Sequence, residues 1–316
     1  MKFYFTFVQV NKLSAKMKSF DVIIIGGSYA GLSAGMSLGR SVRNTLIIDS
    51  GKPCNRQTPH SHNFITHDGK TPKEILDLAR EQVEAYDTVK FHDGFAVKLT
   101  KTEEGFETET ASGEKFYAKK LILASGVKDI MPDIPGFAEC WGISVLHCPY
   151  CHGYEVRNEV TGILSDGDMG YEFSKLVHNL TKDLYLFSNG QSVLSKEQKN
   201  KLAQNNISLV EDEIEKIEHE NGNIRKIIFK TGKEISLKAL YAKIPFEQNI
   251  NASGDLGCEL TEHGFIQIDS MHKTNIPGVF ACGDNITMMR SVANAVAQGN
   301  FTGAIVNKEL VDESFN

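Results

Sequence analysis

Several features that mark whole classes of protein are scarce in this sequence. No stretch approaches the roughly 18 apolar residues that a transmembrane helix needs. Lys and Arg number 34 against 40 Asp and Glu, which gives a net charge of −6, and no basic stripe runs along the chain. A membrane span and a nucleic-acid partner are therefore not expected.

The amino-terminal segment MKFYFTFVQV lacks the pattern of an export signal. Its apolar run is about six residues long, whereas a secretory signal needs roughly 7–15 and a small-residue cleavage site. We expect residues 1–18 to be an N-terminal extension and the protein to be cytoplasmic. Six cysteines in 316 residues without such a signal do not indicate a structural disulfide framework.

Hydrophobic periodicity predicts an α/β protein with two β-α-β units, in a chain long enough for about two domains. The apolar strand Val22–Ile25 leads into a glycine turn, a small-residue helix and a strand that ends at Asp49. The pattern restarts over residues 160–187, which nests the second unit inside the first. Local signals add a capped helix after Thr71 and a hairpin at Asn221-Gly222.

The turn GGSYAG after the first strand has the composition of a dinucleotide-binding turn. Gly26 and Gly31 would let the backbone approach a pyrophosphate, and the helix that follows supplies N–H donors. Ser28 replaces the middle glycine of the usual motif, and Ala30 completes the turn. Asp49, about 20 residues on, is suited to bind ribose hydroxyls. An ordinary tight turn is the alternative.

A second polar signal ends the apolar strand in TNIPGVFACGDN. Asp284, after Gly283, is costly at the end of a buried strand unless a polar group contacts it. A helix is predicted from about Ser291, so the backbone at Ser291 and Val292 is a candidate cofactor contact. A simple helix N-cap at Asp284 is the alternative.

The segment 51–64, GKPCNRQTPHSHNF, is too polar and too rich in histidine for a routine connection. It follows the second strand directly, so we expect it to run over the cofactor site. Arg56 is a candidate phosphate ligand, and His60 or His62 is a candidate for the active site. A solvated loop is the alternative.

The segment LHCPYCHGYE contains a C-x-x-C-H motif formed by Cys148, Cys151 and His152. By itself this string fits covalent haem attachment, half of a zinc site, or a redox-active dithiol. Haem attachment needs export, and zinc needs about four ligands, usually as two close pairs. The remaining cysteines are scattered singly, at Cys54, Cys140, Cys258 and Cys282. A dithiol is favoured, and no metal is expected.

In this order and spacing, IIIGGSYAGLSAG, LILASG, CPYCHGYE and GVFACGDN with RSVANAV resemble the low-molecular-weight thioredoxin reductase family, class II pyridine nucleotide-disulphide oxidoreductases. The resemblance covers the chain from about Ser19. It implies a homodimer and two nested, Rossmann-like three-layer domains. An FAD-binding domain would comprise residues 19–125 and 245–316. An NAD(P)-binding-like domain that carries the dithiol would comprise residues 126–244.

The resemblance also implies residue roles. Gly26, Gly31 and Asp49 would hold the AMP half of FAD. Asp284 would bind the ribityl chain, and the backbone at Ser291–Val292 the flavin edge. Of the two thiols, Cys151 would lie nearer the flavin and Cys148 would exchange with substrate.

The second glycine turn departs from the family pattern. It reads SDGDMG, so Ser165 replaces the first glycine, and Asp166 and Asp168 would repel a pyrophosphate. The stretch at 186–195, where the family carries arginines for the 2′-phosphate of NADPH, contains no Arg or Lys. NADPH is therefore not the expected donor, and NADH is unsupported.

The dithiol departs from the family as well. His152 stands where thioredoxin reductases usually carry Asp, with His147 before the pair and Glu155 after it. This pattern is similar to the branch that includes gliotoxin- and holomycin-type dithiol oxidases. We expect His152 to act in acid–base chemistry, as an imidazolium that favours the thiolate, and Glu155 to orient it.

The sequence thus predicts an FAD-dependent dithiol/disulfide oxidoreductase. Its partner would be a thioredoxin-like protein or a small dithiol or disulfide, with ferredoxin or O₂ as a candidate redox partner. One alternative is an O₂-dependent dithiol oxidase that releases H₂O₂. A flavoprotein that senses redox state or binds without turnover is a third reading.

Overall fold

The computed structural model describes residues 18–315, so the predicted N-terminal extension lies almost wholly outside the described residues. The strands are β1 (Ser19–Ile25), β2 (Thr45–Asp49), β3 (Val89–Asp93), β4 (Ala96–Thr102), β5 (Gly105–Thr110), β6 (Lys115–Leu123), β7 (Val127–Asp129), β8 (Val145–Leu146), β9 (Thr161–Leu164), β10 (Leu184–Phe187), β11 (Ile207–Val210), β12 (Ile214–Glu220), β13 (Asn223–Phe229), β14 (Glu234–Ser236), β15 (Ala239–Ala242), β16 (Phe246–Gln248) and β17 (Val279–Ala281). The helices are α1 (Tyr29–Arg40), α2 (Pro72–Glu84), α3 (Phe137–Cys140), α4 (Pro149–His152), α5 (Gly167–His178), α6 (Lys196–Gln204), α7 (Ala252–Leu256) and α8 (Val292–Phe315).

The first sheet joins the two ends of the described chain. Its strand order is β3-β2-β1-β6-β5-β4, and β17 pairs in parallel with the end of β6. Apolar runs explain the parallel centre, where Ile24 lies beside Ile47 and Ile122 and all three are fully buried. Helices α1, α2 and α8 pack on one face of the sheet. Strands β4 and β5, at the antiparallel end of the same sheet, pack with α7 and neighbouring segments against the other face, which gives three layers.

Helices α1 and α8 cross closely because α8 presents glycines to α1. A Cβ atom at Gly299 would lie 2.0 Å from the carbonyl oxygen of Ala30. A Cβ atom at Gly303 would lie 2.7 Å from that of Ala34. This contact fixes the first turn of α8, and with it Val292, against the glycine turn at the start of α1.

Replacing Gly299 with Ala should destabilise the protein by about 3 kcal/mol, because the methyl group would force the two helices apart. The free energy of unfolding in guanidinium chloride is the measurement. Asn300→Ala, one residue on and exposed to solvent, is the matched control and should cost almost nothing. Equal stability of both variants would contradict the close crossing.

The second sheet is wholly parallel, with the strand order β11-β10-β9-β15-β8. Helices α5 and α6 pack on one face, and the antiparallel strands β12, β13 and β14 cover the other. The predicted hairpin turn is present, with positive φ at Asn221 and Gly222. The capping box at Thr71 and Glu74 begins α2 as predicted. The predicted α/β class with Rossmann-like sheets is confirmed.

The chain passes between the two sheets twice, at β7 and β16. These short strands pair antiparallel, with Val127 beside Gln248 and Asp129 beside Phe246. Nowhere in residues 18–315 does a helix combine the length and the apolar character that a bilayer span requires.

Candidate functional site

A cavity of about 770 Å³ lies between the glycine turn of the first sheet, the loop after β2 and the dithiol. Nine of the ten residues predicted to bind a cofactor line it: Gly26, Ser28, Ala30, Asp49, Arg56, Gly283, Asp284, Ser291 and Val292. Gly31 is the exception. It packs behind the turn, where a Cβ atom would lie 1.8 Å from the carbonyl oxygen of Gly26. Gly31 therefore shapes the turn from behind.

The glycine turn has a backbone conformation and a close packing contact that favour glycine at its first position. Gly26 has φ +105°, and a Cβ atom there would lie 2.3 Å from the carbonyl oxygen of Ala124. The N–H of Gly27 donates to Oδ1 of Asp49 at 3.0 Å, which ties the turn to the end of β2. The predicted pair of glycine turn and acid is thus assembled at one edge of the sheet.

Three buried polar atoms on the cavity wall find no hydrogen-bond partner among the described residues. They are Oδ1 of Asn55, Oε1 of Gln57 and Oγ of Ser125. Because these atoms face the cavity, a polar ligand bound there would supply the partners that they lack. Together with the glycine turn, they fit a dinucleotide cofactor. The loop 51–64, which supplies two of them, lines the cavity.

Arg290 forms a charged centre that the sequence analysis missed. Its guanidinium binds Asp129 at 2.7 and 3.1 Å, and its Nε lies 3.6 Å from Oδ2 of Asp284. The indole N–H of Trp141 donates to the same Asp129 carboxylate at 3.2 Å, and Cys54 Sγ lies 3.6 Å from Asp284. Burial raises the pKa of Asp284, and Arg290 opposes that shift.

The dithiol sits at the start of the short helix α4. Cys148 is the N-cap residue and Pro149 takes the first helical position, where its missing N–H costs nothing. The thiol of Cys151 donates to Sγ of Cys148 at 2.8 Å. This hydrogen bond lowers the pKa of Cys148 to about 7 although burial opposes it, and the N–H groups of Tyr150 and Cys151 assist. Cys148 is therefore the thiol that ionises first.

The pKa of Cys151 moves the other way. Its hydrogen bond to Cys148 and its burial raise the pKa, so Cys151 keeps its proton when Cys148 is a thiolate. Both sulfurs line the cavity. The geometry separates the pair into one nucleophilic thiolate and one protonated thiol.

His152 lines the cavity beside the dithiol, but burial lowers its pKa below the ordinary value. The imidazole is therefore neutral at pH 7, and the imidazolium predicted from the sequence is wrong. Glu155 lies 3.6 Å from Nε2 of His62, so its partner is His62, where the sequence analysis expected His152. The carboxylate of Glu155 acts on His152 only through its charge. Burial also lowers the pKa of His147, to about 4.

His60 and Arg56 make their hydrogen bonds within the connection between β2 and α2. His60 contacts the carbonyl of Gly69 at 3.0 Å, and the Arg56 guanidinium donates to the carbonyl of Pro53 at 3.2 Å while lining the cavity. Of the two candidate histidines, the structure therefore brings only His62 to the cavity.

The second glycine turn is closed by its own acid. The carboxylate of Asp166 accepts hydrogen bonds from Ser192 Oγ at 2.6 Å and from the N–H of Val193 at 2.9 Å. Asp168 accepts one from Gln198 at 2.7 Å. A carboxylate thus binds the donors of the loop after β10, next to the turn where a pyrophosphate would lie.

A dithiol and a dinucleotide-type cavity that share one wall define an oxidoreductase that couples thiol–disulfide exchange to a bound redox cofactor. The chain belongs to the pyridine nucleotide-disulphide oxidoreductase family, whose model matches residues 20–299. The family binds FAD.

Individual relatives refine this assignment. The chain is 33% identical to thioredoxin reductase tcpT of Claviceps purpurea, covering 92% of this chain and 94% of the relative. It is 31% identical to thioredoxin reductase aclD of Aspergillus oryzae, covering 92% and 96%. A crystal structure of an oxidoreductase from Agrobacterium tumefaciens matches with a TM-score of 0.87 and 36% identity, covering 94% and 99%. The chain is therefore a thioredoxin reductase-like disulfide oxidoreductase.

Proposed function

We propose that this enzyme passes electrons between FAD, the Cys148–Cys151 pair and the disulfide of a thioredoxin-like protein or a small molecule, with a donor other than NADPH. The observation that carries the proposal is the common cavity, which both thiols share with nine predicted cofactor-binding residues. The low pKa of Cys148 supports its role as the nucleophile that meets substrate.

In the proposed cycle, the Cys148 thiolate attacks one sulfur of the substrate disulfide, which breaks the substrate S–S bond and forms a mixed disulfide. The other substrate sulfur leaves as a thiolate and takes a proton from solvent. Cys151 then attacks Cys148, which releases the substrate as a dithiol and leaves a Cys148–Cys151 disulfide. The neutral imidazole of His152 accepts the proton of Cys151 and delivers it to the leaving thiolate. FAD, when bound and already reduced by the external donor, would supply the electron pair and the proton that return the Cys148–Cys151 disulfide to one thiolate and one thiol.

For the cofactor we propose the following contacts. The turn at Gly26 and the acid at Asp49 would hold the AMP half of FAD, and Asp284 the ribityl chain. The backbone at Ser291 and Val292, where α8 begins, would meet the flavin edge. The unpaired atoms of the cavity wall would complete the polar contacts.

The closed second turn supports a donor other than NADPH. Asp166 puts a negative charge beside the turn where a dinucleotide phosphate would bind, and its hydrogen bonds hold the adjoining loop in place. Reduced ferredoxin and substrate dithiols are the donor classes that need no such turn.

The second candidate function is a dithiol oxidase. The same residues would catalyse the reverse reaction. A substrate dithiol would become a disulfide, and O₂ would accept the two electrons and two protons as H₂O₂. The closed turn favours it too, since no nicotinamide donor is required.

The remaining proposals concern organisation. We propose that residues 19–125 and 245–316 form the FAD domain and that residues 126–244 form the inserted domain. By resemblance to the family, two copies would form a homodimer. The short apolar run at the amino terminus supports a cytoplasmic location.

Anaerobic mixing of the purified, FAD-loaded protein with single donors tests the proposal. Dithiothreitol should bleach the flavin absorbance rapidly, and micromolar NADPH or NADH should not. Reduced ferredoxin is tested as a third kind of electron donor. Bleaching by ferredoxin favours disulfide reduction, and H₂O₂ release on re-aeration after dithiol reduction favours the oxidase.

An Asp166→Gly variant is the control for the closed turn, because it removes the acid and leaves the dithiol untouched. Rapid bleaching of the wild-type protein by micromolar NADPH would contradict the proposed donor class. Purified protein without FAD would contradict the proposal as a whole.

A further inference from the structure

The dithiol has a neighbour on the adjacent strand that neither the proposed cycle nor the sequence motifs include. Strands β8 and β15 run parallel, with Tyr241 in register with Leu146. Both strands end within one residue of this pair, and Cys148 and Lys243 each follow it by two residues. Both residues leave the same carboxyl edge of the second sheet, where loops carry functional groups in parallel folds.

Contacts with α5 fix the side of the sheet on which Lys243 lies. Tyr241 meets the ring of Phe173 edge-on with ring centroids 5.8 Å apart. The ammonium of Lys243 lies 5.1 Å from the centre of the same ring. Because both side chains contact Phe173, Tyr241 and Lys243 form one row on the side of the sheet that α5 covers.

Most other charges around the dithiol already have partners of opposite sign. Arg290 is held by Asp129 and Asp284, and Glu155 lies against His62. No carboxylate among residues 18–315 lies within 4.0 Å of the Lys243 ammonium. His147 and His152 are neutral at pH 7, so neither competes as a cation.

The Tyr241 hydroxyl adds to this picture. It is fully buried and has no hydrogen-bond partner among the described residues. The Cys148, Cys151 and Glu155 groups all raise the pKa of Tyr241, after burial, so the phenol stays protonated. The row beside Cys148 therefore presents one neutral hydroxyl and one unpaired cation.

We infer that Lys243 is a positioning residue for the proposed reaction, whose unpaired ammonium stabilises the Cys148 thiolate from the neighbouring strand. The charge balance supports this role. Lys243 is exposed as a residue, but desolvation of its ammonium lowers its pKa, and the Cys148 thiolate opposes that shift. In return, Lys243 contributes to the lowered pKa of Cys148.

The benefit of this role to the enzyme rests on the proposed function. The effect of Lys243 on the Cys148 thiolate does not, because the thiolate can be titrated without turnover. With the pKa of Cys148 at about 7, roughly half of this thiol is ionised at neutral pH. Removing a cation that favours the thiolate shifts the titration to higher pH. The fraction of reactive thiolate at pH 7 then falls, while the fully ionised thiol keeps its reactivity.

The test follows the alkylation of Cys148 by iodoacetamide across pH in the reduced, FAD-loaded protein. Mass spectrometry of the modified peptide separates Cys148 from Cys54 and the other thiols. In the wild type the rate should rise with a midpoint near pH 7. Lys243→Met should move the midpoint to higher pH and slow alkylation at pH 7 about threefold, with the same limiting rate at high pH.

Two further variants make the result specific. Lys243→Arg keeps the charge and should restore most of the wild-type midpoint. Lys238→Met, an exposed lysine just before the other end of β15, should leave the midpoint unchanged. A wild-type midpoint in Lys243→Met, with FAD content and Tm preserved, would overturn the inference.

The same experiment keeps the inference distinct from the proposed function. A shifted midpoint in a protein that reduces no disulfide and oxidises no dithiol would leave the role of Lys243 standing and refute the proposed reaction. Normal turnover in the wild type with an unshifted midpoint in Lys243→Met would support the proposed reaction and refute the role of Lys243.

Discussion

Replacing Cys151 with Ser should lower dithiol–disulfide turnover by roughly 10³-fold or more, because the cycle then has no thiol to resolve the mixed disulfide. Serine preserves the size of the side chain and can still donate a hydrogen bond to Cys148. Cys148 should therefore still attack, and a stable adduct between Cys148 and a disulfide substrate should accumulate. Steady-state rates and intact-protein mass spectrometry measure the two effects.

The FAD content of this variant shows whether the cysteine pair has a catalytic or a structural role. Cys151 contributes only one side chain to a wall shared by many residues, so FAD should stay bound at the wild-type ratio. Cys258→Ala, which removes a buried thiol from the core beneath the first sheet, is the control and should turn over normally. Loss of FAD from Cys151→Ser would mean that the pair is structural, and undiminished turnover would refute the proposed cycle.

The elements that the sequence predicted well are those specified by neighbouring residues. The strand at Val22–Ile25 is apolar without interruption, and the capping box at Thr71 and Glu74 has both of its hydrogen bonds. The hairpin at Asn221-Gly222 needs positive φ, which these residues adopt readily. The short strands β7 and β16 were missed because their pairing joins segments more than 100 residues apart.

The residues of the candidate site also separate into those that local motifs identify and those that only long-range contacts bring together. The glycine turn, the acids at Asp49 and Asp284 and the dithiol stand in local motifs, so the sequence could identify them. The clamp of Arg290 on Asp129 joins residues 161 positions apart, and no local pattern points to it. The only available signal was the place of Arg290, directly before the predicted cofactor contact at Ser291.

Burial explains why the protonation of His152 was not predicted. A solvated imidazole beside a thiolate would gain a proton, which is what the motif alone indicates. The folded chain surrounds His152 and removes solvent from it, which favours the neutral form. Such desolvation depends on elements far away in sequence, among them the loop that carries His62.

Replacing Asp129 with Ala should destabilise the protein by about 3 kcal/mol, the cost expected when one member of a buried ion pair is removed. Asp129 and Arg290 are only 7% and 12% exposed, so solvent cannot replace the lost contact. Arg290 would keep only Asp284, and the indole of Trp141 would lose its acceptor. Thermal and guanidinium unfolding measure the loss.

The effect should concentrate where the two sheets join. Asp129 lies at the end of β7, Arg290 directly precedes the first turn of α8, and Trp141 belongs to the core of the second sheet. Hydrogen exchange of the β7 amides should therefore accelerate more in Asp129→Ala than exchange in β1 or β9. Asp129→Asn keeps acceptors for Trp141 and Arg290 without the charge, so its loss of stability should be intermediate.

Asp133→Ala is the matched control, since Asp133 is exposed and lies four residues further along the same connection. It should leave stability and exchange unchanged. If Asp129→Ala behaved like this control, the clamp would contribute nothing, and the pairing of β7 with β16 alone would have to hold the dithiol against the cavity. If only Asp129→Ala loosens β7, a single carboxylate links the orientation of the second sheet to the wall that carries Asp284.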